Sequence, residues 1–80
     1  MKNKFFNQEN LLYFLGKEDN WGTYKFRKIL QKAYMSETVE KYIVGRNVIF
    51  QQGAGRKVSI PIDIVEDILR IAVELPRRVA

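Results

Sequence analysis

The chain has 80 residues, 46% of them hydrophobic and 12% aromatic, carries a net charge of +5, and contains neither cysteine nor histidine. That length permits one domain with a small core, and that composition excludes a disordered tail. Disulfides, thiolate metal sites and an imidazole base are all excluded, so no catalytic residue, metal ligand or cofactor is assigned and no enzyme is expected.

In chain order, NQENLLYFLG predicts a first helix. Asn7 serves as N-cap, Leu11, Leu12 and Leu15 share a face, and Gly16 closes the helix in the left-handed conformation. KEDNWG is a polar turn with Trp21 as a core plug. Thr23 then caps a second helix, YKFRKILQKAYM. Phe26, Ile29, Leu30 and Ala33 give it a buried face at i, i+3, i+4, i+7 spacing. Lys25, Lys28 and Lys32 stack on another face with no acidic residue between them. Like charges so placed repel, and an anionic partner would relieve them.

SETVEKYIVG reads in two ways. As a helix it has Ser36 as N-cap, an apolar stripe of Val39, Tyr42 and Ile43, and Gly45 just past its end. As a strand it is rich in β-branched and aromatic residues, with Gly45-Arg46 the two-residue turn of a type II′ hairpin. The helix is favoured because Ser36 and Gly45 punctuate both ends. NVIFQQ and KVSIPI are β-prone, and GAGR between them is a hairpin loop. Val58, Ile60 and Ile62 alternate onto one face, and Pro61 confines the second strand to an edge or ends it. Asp63 and Glu66 form a capping box for DIVEDILRIAVEL, whose Ile64, Val65, Ile68, Ile71, Ala72 and Leu75 face the core until Pro76. Residues 1–80 form a single domain, with 1–6 and 76–80 frayed.

The loop QQGAGRK is not a nucleotide cradle. Gly53 and Gly55 lack the spacing of a P-loop or a dinucleotide fingerprint, and a strand follows instead of a helix. It reads as a flexible tip whose Arg56 and Lys57 project into solvent toward phosphates. Charge is concentrated around it: residues 24–57 carry eight basic side chains against two acidic, while the flanking segments are near neutral. Such a field attracts polyanions.

In element order and charge, residues 7–75 resemble a winged helix, a helix-turn-helix followed by a two-stranded wing with a basic tip, as in small phage excisionase-type proteins. The resemblance implies a recognition helix over residues 37–44. With the strand reading the core becomes αβββα, which is similar to a double-stranded RNA-binding domain; there VSIPI intervenes where that family begins its last helix. The expectation is therefore a small α+β, winged-helix-like domain of three or four helices with a β-hairpin, the alternative being αβββα. It would be a cytoplasmic regulatory or accessory factor for transcription that binds nucleic acid, DNA in preference to RNA, through Lys25, Lys28, Lys32, Lys41, Arg46, Arg56 and Lys57. A homodimer is expected and a membrane role is not, because no apolar run approaches the ~20 residues of a bilayer span. The alternative is a protein-interaction module, a phage- or plasmid-type inhibitor or adaptor, that docks on an acidic protein.

Overall fold

The computed structural model describes residues 8–53 and 55–79. Helix α1 (Gln8–Leu15) leads through a short 3-10 turn (Glu18–Asn20) to α2 (Tyr24–Met35). Strands β1 (Glu40–Val44), β2 (Asn47–Gln51) and β3 (Lys57–Pro61) follow, then α3 (Ile62–Leu69). The result is an α+β fold with a three-stranded antiparallel sheet in the order β1-β2-β3.

Helix α2 forms where its sequence dictates. The Thr23 hydroxyl accepts the Phe26 N–H at 3.0 Å, and Phe26, Ile29, Leu30 and Ala33 are buried. Replacing Thr23 with alanine removes this cap, and thermal unfolding should show a loss of about 1 kcal/mol. Trp21 fills the corner between α1 and α2. Its indole N–H donates to the Leu15 carbonyl at 3.0 Å, and its ring packs 5.9 Å from that of Phe26. Helix α1 buries Leu11, Leu12 and Leu15 as its spacing requires. Asn7, the expected cap, lies outside the described residues. Gly16 ends the helix through an N–H bond to the Leu12 carbonyl but does not have the positive φ expected of it.

The helical reading of residues 37–44 is corrected. Glu40–Val44 is a strand, and Glu40 pairs with Gln51, Tyr42 with Ile49, and Val44 with Asn47. The residues that would punctuate a helix serve its neighbours instead. Ser36 is the C-cap of α2, its N–H bound to the Ala33 carbonyl. Gly45 makes the hairpin turn at φ 63°, and Arg46 beside it keeps a negative φ, as a type II′ turn requires. From α2 onward the order is αβββα.

Partners across an antiparallel sheet share a face. Val48, Phe50, Val58 and Ile60 therefore point together toward α1, α2 and α3, and all four are buried. Val65 from α3 completes this core. The opposite face carries Tyr42, Ile49 and Ser59 in one row and Glu40, Gln51 and Lys57 in the next.

Helix α3 is shorter than its apolar stripe suggests. It ends at Leu69, and Arg70 adopts the left-handed conformation at φ 60° with its N–H on the Glu66 carbonyl. The capping box does not form: Pro61 occupies the N-cap position, and a Glu66 carboxylate oxygen accepts the Val73 N–H at 2.9 Å instead. Ile71 and Ala72, expected in the core, are exposed, and Leu75 is half-buried. Beyond the helix the chain makes a non-local contact. Pro76–Arg78 runs parallel to β1, with the Ile43 N–H on the Pro76 carbonyl and the Arg78 N–H on the Ile43 carbonyl, both 2.7 Å. The Arg78 guanidinium sits 4.0 Å from the Tyr42 ring centre and pairs with Glu40, and Arg77 donates to the Gly45 carbonyl. This stretch of the tail is thus held against the sheet rather than frayed.

Candidate functional site

The seven basic residues singled out in the sequence do not form one patch. Lys25, Lys28 and Lys32 are exposed along one flank of α2, and Lys25 reaches α1. The Lys25 ammonium lies 5.5 Å from the ring centre of Phe14 on α1, and that of Lys28 lies 5.5 Å from Tyr24 within α2. Arg56 joins this region from the β2–β3 loop. Contrary to expectation it does not project freely: its guanidinium rests 5.1 Å from the Tyr13 ring centre, although the residue remains exposed. Lys17, at the end of α1, places its ammonium 4.8 Å from the same ring. The outcome is an arc of cations and rings running from Tyr24 and Lys28, through Lys25 and Phe14, to Tyr13, Lys17 and Arg56.

Local chemistry shapes the loop that delivers Arg56. Gly53 takes φ 55°, a conformation that costs other residues more, and the Gln51 side-chain amide donates to its carbonyl at 3.0 Å. The Gly55 N–H closes a turn on the Gln52 carbonyl at 2.9 Å. These bonds organise a tip that composition alone suggests to be loose.

The remaining candidates lie elsewhere. Lys41 points to the helix side of β1, where its ammonium donates to the Ser36 and Val39 carbonyls, both at 2.8 Å. It secures the connection from α2 to β1, and partial burial lowers its pKa. Arg46 sits in the β1–β2 turn, at the opposite end of β2 from the loop, and lines a small cleft with Gly45, Ile62, Asp63 and Arg77. Five strand residues separate the two ends of β2, about 16 Å. Lys57 is exposed on the open face of the sheet, across from Gln51.

Four members of the arc, Tyr13, Phe14, Lys17 and Tyr24, are not part of the charge cluster in the sequence. Three of them carry a signal in the sequence: Tyr13 and Lys17, like Tyr24 and Lys28, stand four apart on or beside a helix, where side chains meet. Tyr13 is 51% and Tyr24 72% exposed. Glu18 and Asp19 are both exposed in the 3-10 turn that joins α1 to α2.

A second surface feature is an apolar cleft of about 320 Å³ between α2 and the end of α3, lined by Gln31, Tyr34, Met35, Leu69 and Ile71. Burial, and then the nearby Glu74 carboxylate, raise the Tyr34 pKa above its ordinary value. Among the described residues no three carboxylates gather as metal ligands would, and no helix is long and apolar enough to cross a membrane. Comparison of the chain with family models, with curated proteins and with solved structures gives no match.

Proposed function

We propose that the protein binds nucleic acid without catalysing a reaction, using the arc formed by α1, α2 and the β2–β3 loop. The observation that carries this reading is the interleaving of Lys17, Lys25, Lys28 and Arg56 with three aromatic rings at 4.8–5.5 Å. Cations neutralise phosphates, and rings that hold them in place reduce the entropy lost on binding. The role that a recognition helix over 37–44 would have filled passes to α1 and α2. The wing analogy remains in the loop that carries Arg56.

Fluorescence anisotropy of a labelled oligonucleotide at two salt concentrations tests the reading directly. Binding should weaken markedly from 50 to 200 mM salt. Arg56→Ala should cost about 1–2 kcal/mol of affinity, on the scale of a charged hydrogen bond, with the melting temperature unchanged. Arg56→Lys should recover only part, because an ammonium lacks the planar fork. Wild-type affinity in Arg56→Ala would reduce the loop to a turn, and no binding at either salt would refute the proposal.

A second reading, docking on an acidic protein or on a second copy, draws on the apolar cleft. Met35 is 72% and Ile71 41% exposed there, and nucleic acid would leave both unused. Sedimentation of the wild type and of Met35→Gln tests for the second copy.

A further inference from the structure

We infer that the preferred ligand is single-stranded nucleic acid, with a base stacked on Tyr24 and the adjoining backbone neutralised by Lys25, Lys28 and Arg56; this rests on the nucleic-acid reading above. Tyr24 is the first residue of α2, fixed there by the Thr23 cap one residue earlier. Its ring is 72% exposed and stands away from the core, which α2 meets through Phe26, Ile29, Leu30 and Ala33. One turn along, Lys28 holds its ammonium over the ring, 5.5 Å from its centre. An exposed aromatic surface with a cation close by is what a splayed base and its phosphate require. Every base has a π face, so such a platform tolerates many sequences.

A duplex makes poor use of this arrangement, because its bases are already stacked on each other. The cations also come from separate elements: Lys25 and Lys28 from α2, Lys17 from the start of the 3-10 turn, and Arg56 from the loop. An arc of that kind suits a strand that can bend more than it suits a straight groove. Tyr13 is the lesser platform, since Lys17 and Arg56 already crowd its ring at 4.8 and 5.1 Å.

The test uses the full chain with labelled dT12 and with the duplex of dT12 and dA12, at one low salt concentration. The single strand should bind at least about tenfold more tightly. Tyr24→Ala should lower dT12 affinity about five- to a hundredfold, the range for one base–aromatic stack, and leave duplex binding nearly unchanged. Tyr24→Phe should behave as wild type, because stacking needs the ring and not the hydroxyl. If the duplex binds as tightly as dT12, or if Tyr24→Ala leaves their ratio unchanged, the inference falls while the nucleic-acid reading stands. If neither oligonucleotide binds, the reading fails and the inference fails with it.

Discussion

Replacing Lys25, Lys28 and Lys32 together with glutamine should flatten the salt dependence of nucleic-acid binding by about two units of log–log slope. Each phosphate neutralised on a single strand releases about 0.7 of a counterion, and three lysines act in this substitution. The loss should be similar for every sequence tested, because phosphate contacts carry no base information. All three lysines are exposed on α2, away from its buried face, so the fold should survive. Two measurements decide the matter: the slope of affinity against salt, and the far-UV spectrum that certifies the helix. An unchanged slope would return the lysines to a solvated surface. A lost helix signal would show that glutamine had disturbed α2 itself, and single substitutions would then replace the triple one.

The largest effect on stability should come from Phe50→Ala. Phe50 is fully buried on β2, the middle strand of the sheet, opposite Lys41 on one side and Val58 on the other, and faces the helices. Truncation removes the ring and leaves a cavity bounded by strands and helices that cannot all close in, at a cost of about 3–5 kcal/mol. A domain of this size has about 5–15 kcal/mol in total, so the melting temperature should fall by roughly 12–40 °C. Ile68 is the informative control. Its place in the apolar stripe of the last helix suggests a central core position, yet it is only half-buried, because α3 ends one residue later. Ile68→Ala should shift the melting temperature much less than Phe50→Ala. Equal shifts would mean that α3 contributes more to the core than its burial implies.

These two positions show where the sequence is a sound guide and where it is not. Helix α2 was legible because its cap, its stripe and its charged flank all agree. The β2–β3 hairpin was legible because β-prone alternation brackets a glycine-bearing loop. Residues 36–45 misled because Ser36 and Gly45 end structure on either side of the segment, and nothing local says on which side. The hydrogen-bond partners that settle it, Asn47–Gln51, belong to another strand. The end of α3 misled for a related reason. No glycine or asparagine marks position 70, and the partner that the following segment reaches lies on β1, more than 30 residues before Pro76. In the candidate site the lysines of α2 were visible as a run of charge. The approach of Arg56 to Tyr13 was not, since it joins a loop to a helix more than 40 residues away.

The pairing of Pro76–Arg78 with β1 bears on how the protein behaves in a crowded solution. An uncovered outer strand is a template on which other chains can align and aggregate. Here the chain covers part of that edge itself, using both the N–H and the carbonyl of Ile43. The far side of the sheet is guarded differently, by Lys57 at one end of β3 and Pro61 at the other. Val79, just beyond the pairing, is 97% exposed. A bulky fusion attached there would pull on the very segment that shields β1. Losing that cover would leave the outer edge of β1 open to pairing with other chains.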